Sequence, residues 1–152
     1  MKNINNKKIA AVSLVCLMLC FCTVTAHAVS EPGSAEFFEE RDLIARAVEL
    51  TAPNASYVAR LAIASVIVNR AQDPRFPSDI RSVIYERGAF ECVTSPDFET
   101  CDISYLSKTA ARDALLGYDV SSGALYFKKG NIAESDGSCF YHSGFLFYRE
   151  MP

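Results

Sequence analysis

The sequence predicts a single α+β domain in which helices come first and a small three-stranded antiparallel sheet closes the C-terminal end. Three observations carry this. Apolar residues recur at helical spacing from about residue 35 to residue 117. Beyond Ser122-Gly123 the composition turns aromatic and β-prone in three short runs. Of 152 residues, the first 28 read as a leader, and the 124 that remain are enough for one core and too few for two.

The leader has Lys2, Lys7 and Lys8, an apolar run over residues 9–24, and then the small-x-small site Ala26-His27-Ala28. The run falls short of the ~20 residues that cross a bilayer, so cleavage is expected rather than anchoring. The expected organisation is a signal peptide over residues 1–28, a linker over 29–35 and the domain over 36–152. The mature protein is then exported, with no membrane attachment after cleavage.

Each element has its own signal. Phe37, Ile44 and Val48, widened by Leu43, Ala47 and Leu50, form the apolar stripe of a first helix, with Glu36, Glu39 and Glu40 near its positive end. Pro53 and Asn54 break it, and Asn54 is the expected cap of a second helix. There Val58, Leu61, Ala62, Val66 and Ile67 face a core with few charges nearby. Pro74-Arg75-Phe76-Pro77 is a turn, and Ser78 is the expected cap of a short helix holding Ile80, Val83 and Ile84 and ending at Gly88. A further helix is expected from about Ser107, with Ala110, Ala111, Ala114 and Leu115 inward and Gly117 as its stop. The strands are expected over residues 124–128, 138–142 and 145–149.

Charge excludes one class of partner. The whole chain has 15 bases and 18 acids, and loss of the leader's three lysines leaves a net charge of −6. Nucleic acid needs clustered bases to displace counterions, so it is not an expected partner. The domain keeps Cys92, Cys101 and Cys139 and one histidine, His142. Cys92 and Cys101 bracket an eight-residue loop, which in an exported chain makes them the expected disulfide. Zinc on these three cysteines with His142, and a cysteine nucleophile served by His142, are the rival readings. The gap is unlike that of zinc knuckles and no third orienting group is announced, so no metal or cofactor is expected.

Residues 44–70, IARAVELTAPNASYVARLAIASVIVNR, align without a gap to a signature of the form L-A-R-x-V-x-x-E-A, then G-E, then A-V-A-A-V-x-x-N-R, matching it at Ala45, Arg46, Val48, Ala52, Ala62, Ala64, Val66, Asn69 and Arg70. Residues 74–85, Gly88-Ala89-Phe90, residues 110–117, residues 123–127 and Phe147-Tyr148 follow in order. Together these segments resemble the SleB/CwlJ cell-wall hydrolases, the family of spore-cortex-lytic enzymes. The resemblance implies a lysozyme-like helical domain with a small sheet, acting as a monomer on the glycan strands of peptidoglycan. It also implies cleavage of the glycosidase or lytic transglycosylase type, with one glutamate at the end of the first helix as proton donor.

At that glutamate's position this chain has Thr51. Ala55, Ala59, Ala89 and Phe145 replace a second glutamate, a glycine, a glutamine and a histidine of the pattern. A threonine hydroxyl is a poor proton donor to a leaving oxygen, and loss of a positioned acid costs about 10²- to 10⁴-fold. Two carboxylates stand as substitutes, Glu49 and Glu91. Glu49 is two residues from Thr51, roughly 200° around a helix. Glu91 follows Phe90 in what the resemblance makes a cleft-lining loop. Tyr57, Asn69, Phe90 and Tyr126 are the candidates for sugar contact, the aromatics because their rings stack on pyranose faces. A silent member of the same fold that binds strands or regulates an active relative is the competing reading.

Overall fold

The computed structural model describes residues 29–134 and 139–151. The expected signal peptide, residues 1–28, lies outside the described residues. Among these residues four helices, α1 (Ala35–Thr51), α2 (Tyr57–Gln72), α3 (Ile80–Tyr85) and α4 (Tyr105–Leu115), precede strands β1 (Tyr126–Lys129), β2 (Phe140–His142) and β3 (Phe145–Tyr148). Short 3₁₀ turns occupy Glu91–Thr94 and Ile132–Glu134.

Helix α2 is the centre of the domain. Its residues from Ala59 to Val68 are all buried, as the apolar pattern requires. It packs most extensively on α4, whose inner face of Ala110, Ala111 and Ala114 lets the two backbones come close. Helix α1 closes the other side with Phe37, Leu43, Ile44, Ala47 and Val48.

Local chemistry sets the ends, at some places by a neighbour of the expected residue. Ser34 caps α1 by accepting from the Phe37 N–H at 3.0 Å. Helix α2 is capped by Ser56, not Asn54, and α3 by Asp79, not Ser78; each accepts the N–H three residues on. Ser104 caps α4, which starts at Tyr105, two residues before the expected Ser107, and Gly117 at φ +90° terminates it.

The sheet runs β1-β3-β2, antiparallel throughout, with Tyr126 opposite Tyr148 and Phe140 opposite Phe147. All four residues of the central β3 are buried. Ser143 and Gly144, both at positive φ, make the two-residue turn between β2 and β3. The fold is thus a helical domain with a small three-stranded antiparallel sheet.

Candidate active-site groove and the family it places

Helix α1 ends at Thr51 because Ala52 leaves helical dihedrals, φ −141° and ψ 60°, and Pro53 follows. The side chain of Thr51 faces a groove rather than the core. The groove has two lobes, of about 570 and 340 Å³, and Thr51, Lys129 and Phe145 line both. Phe90, Glu91 and Phe127 wall the larger lobe, while Pro53, Asn54 and Gly144 border the smaller.

Behind Thr51 lies Cys92. The Thr51 hydroxyl donates to Cys92 Sγ at 3.7 Å, and that thiol donates to the Ala47 carbonyl at 3.7 Å. Burial pushes the Cys92 thiol up. The expected Cys92–Cys101 disulfide is not formed: both are thiols, and Cys101 Sγ turns to the Phe98 carbonyl at 3.7 Å. Cys92 packs against the end of α1, a contact that its spacing from Cys101 does not reveal.

Glu49 is placed elsewhere. It points between α2 and α4, where Arg60 donates at 2.8 Å and the Ser104 N–H at 3.1 Å, joined by the Ser104 hydroxyl. Its side chain is 14% exposed and that of Arg60 is 4% exposed, and Glu49 lines neither lobe. Burial pushes Glu49 up, but the hydrogen bonds from Ser104 and Arg60 outweigh it and hold the carboxyl below the ordinary range. Arg60 is also tied to the Ala55 and Pro53 carbonyls and to Ser104 and Ser107, so this pair welds the ends of α1, α2 and α4.

Of the remaining sequence candidates, Glu91 and Phe90 line the larger lobe, Glu91 exposed and Phe90 buried against Phe127 at 6.0 Å between ring centroids. Among the described residues Glu91 is the sole carboxylate lining either lobe. Tyr57 lies outside both lobes. Its hydroxyl donates to Asp113 at 2.6 Å, and that bond to a carboxylate pushes the phenol up to about 12. Asn69, also outside them, donates to Asp119, Ser121 and the Ala124 carbonyl, fixing the approach to β1. Tyr126 packs beside Arg70, at 5.5 Å from its guanidinium.

Three charged lining residues are not among the site candidates that the sequence offers: Arg70, Lys128 and Lys129. The Lys128-Lys129 doublet at the end of an aromatic strand was the available signal. Arg70 closes the N-R of the residue 44–70 pattern, but its place in the groove was not readable there, since its surroundings come from three distant segments.

The comparisons with known proteins agree with this architecture. A family described as Cell Wall Hydrolase matches residues 54–144, beginning just past Thr51. The spore cortex-lytic enzyme of Bacillus subtilis is 35% identical over 112 residues, 72% of this chain and 35% of that protein. That of Halalkalibacterium halodurans is 38% identical over 94 residues, 61% of this chain and 28% of that one. The chain therefore spans about a third of the length of the curated relatives it matches. The crystal structure of the catalytic domain of the Bacillus cereus SleB protein superposes with a TM-score of 0.67 at 26% identity, covering 84% of this chain and 98% of that one. The catalytic domain of the germination-specific lytic transglycosylase SleB from Bacillus anthracis gives 0.65 at 25% identity, covering 78% and 99%. With more than half of its length inside the family match and its fold shared with two SleB catalytic domains, this chain belongs to the cell wall hydrolase family.

Proposed function

We propose that this chain is an exported, monomeric cell-wall protein whose groove takes the glycan strands of peptidoglycan, and that Thr51 has removed most of the family's cleaving power. One observation carries the reading: the two lobes meet at Thr51, and among the described residues no carboxylate stands at that junction. Export is supported by the leader-like N-terminus, and no helix among the described residues is long and apolar enough to cross a membrane.

The chemistry follows from the proton. A glycosidic oxygen leaves only when it is protonated as its bond breaks, which calls for a carboxylic acid kept neutral at the bond. The Thr51 hydroxyl does not supply that proton near neutrality. Glu49 is ionised and enclosed by Arg60 and Ser104, which suits a structural pair. A second reading, slow cleavage with Glu91 as the acid, is supported by its place on the wall of the larger lobe.

The test incubates the purified protein with peptidoglycan sacculi and follows sedimentation, turbidity and released muropeptides. Cosedimentation without muropeptide release is the expected result. Turbidity loss that disappears in Glu91→Gln would establish the second reading, and absence of cosedimentation would remove the first.

A further inference from the structure

We propose that the larger lobe is an anion site that takes a carboxylate carried by the glycan strand, so that the groove selects lactyl- or peptide-bearing glycan over neutral polymers of similar sugars. The inference rests on the reading that the groove takes glycan strands, and it adds which strands those are.

The charges lining the lobe run against the rest of the molecule. The chain has a net charge of −3, yet among the described residues Arg70, Lys128 and Lys129 line the lobe against one carboxylate, Glu91. Neither lysine has an ion-pair partner among the described residues, and both are exposed. Lys128 holds its ammonium 5.5 Å from the Tyr148 ring, and Lys129 stands at the junction of the two lobes. A concave, low-dielectric wall carrying one sign of charge concentrates ions of the other.

Arg70 is the stronger observation. It is 7% exposed, and its guanidinium lies 5.1 Å from the Phe76 ring and 5.5 Å from those of Phe90 and Tyr126. Its Nε donates to the Leu125 carbonyl at 2.7 Å. Among the described residues its two terminal nitrogens have no hydrogen-bond partner, and the Glu86 charge acts on it without forming an ion pair. A buried cation lacking a paired anion is costly, and the three rings offset only part of that cost. The outer edge of a guanidinium held by Nε and ring stacking is a planar fork, the shape that binds a carboxylate through two parallel hydrogen bonds.

Peptidoglycan offers such a group on every second sugar. The muramyl residue bears a lactyl ether whose carboxyl is either free or extended by a peptide that itself ends in carboxylate. Chitooligosaccharides have the same β-1,4-linked N-acetylated backbone and no carboxylate, which makes them the neutral comparison.

The experiment is titration calorimetry of the purified protein with three ligands of equal length at low and high ionic strength. They are peptide-bearing glycan strands, strands stripped of peptide by an amidase so that only the lactyl carboxylate remains, and chitooligosaccharides. Both carboxylate-bearing ligands are expected to bind on the order of tenfold more tightly than chitooligosaccharide at low salt, and to lose that margin at high salt. Lys129→Gln and Lys128→Gln, at exposed positions, should each erase a large part of the margin, while Lys108→Gln on the exposed face of α4 should leave it intact. Preference for peptide-bearing over stripped strands places the bound carboxylate on the peptide, preference for stripped strands places it on the lactyl group, which is a carboxylate only there, and equal binding means that the site takes either. Equal affinity for all three ligands, independent of salt, overturns the inference alone. Binding by none of them overturns the glycan-strand reading, and the inference with it.

Discussion

Replacing Glu49 by glutamine separates a structural carboxylate from a chemical one. The change keeps the size of the side chain and removes its charge, leaving the Arg60 guanidinium at 4% exposure without its anion. Removing one partner of a buried pair costs about 3–5 kcal/mol. Arg60 keeps the Ala55 and Pro53 carbonyls and the Ser104 and Ser107 hydroxyls as acceptors, which puts the cost at the lower end, about 3 kcal/mol. At about 4 °C per kcal/mol for a domain of this size, the melting temperature should fall by about 12 °C. The assay is thermal unfolding followed by circular dichroism, with Glu91→Gln as the exposed comparison, expected to shift stability by no more than about 0.5 kcal/mol. The pH dependence has a definite sign. Because the folded Glu49 carboxyl is held below its ordinary value of 4.5, its stabilisation is present above that value and is lost as pH falls through the folded one. The gap between the wild type and Glu49→Gln should therefore narrow in acid. A Glu49→Gln protein that melts with the wild type, and loses a lytic activity the wild type has, would refute the structural assignment.

Thr51→Glu should raise muropeptide release by about 10²- to 10⁴-fold over the unmodified chain, read by chromatography of digested sacculi. Cys92 should react with iodoacetamide more slowly than a free-thiol peptide at pH 8, because burial raises its thiol; mass spectrometry of the labelled peptide over time reads this directly. Tyr57→Phe should cost about 1 kcal/mol, seen as a lower urea midpoint at unchanged slope. In the wild type the Tyr57 phenol, raised to about 12, contributes stability that is full below pH 10 and is lost as pH climbs towards 12, so the difference between the two proteins should shrink over that interval.

The elements were legible because local chemistry writes them: helical stripes, serine and aspartate caps, a glycine stop and an aromatic C-terminal third. The caps misplaced by one or two residues, Ser56 for Asn54 and Asp79 for Ser78, lie in runs where neighbouring residues can both cap, and tertiary packing chooses between them. The groove was less legible. Glu49 and Thr51, two residues apart on one helix, have opposite fates, one turned into a buried ion pair and the other towards open space. Rotation about the helix separates them, but only the packed positions of Arg60 and Ser104 show what Glu49 meets. Arg70 depends on still more distant residues, since Phe76, Phe90 and Tyr126 reach it from a turn, a loop and a strand. The disulfide expectation failed for the same reason: the short loop between Cys92 and Cys101 says nothing of Ala47 and Thr51, which occupy Cys92.

The core stripe of α1 leaves out Thr51, so the residue at that position changes without disturbing Ile44, Ala47 or Val48, and cleavage is separable from fold. It is not separable from the groove's charge. A glutamate introduced at position 51 would share its junction with Lys129, and a neighbouring cation stabilises carboxylate over carboxylic acid. The ionised form cannot protonate a leaving oxygen, so Thr51→Glu alone should work best at acid pH. Adding Lys129→Gln removes that cation, and should move the acid-donor limb of the pH–rate profile towards neutrality while weakening strand binding. The double variant is thus expected to show a higher kcat at neutral pH and a higher KM than Thr51→Glu. Profiles of the single and double variants that superpose would mean that Lys129 does not act on position 51, and that the two side chains share the groove without sharing its electrostatics.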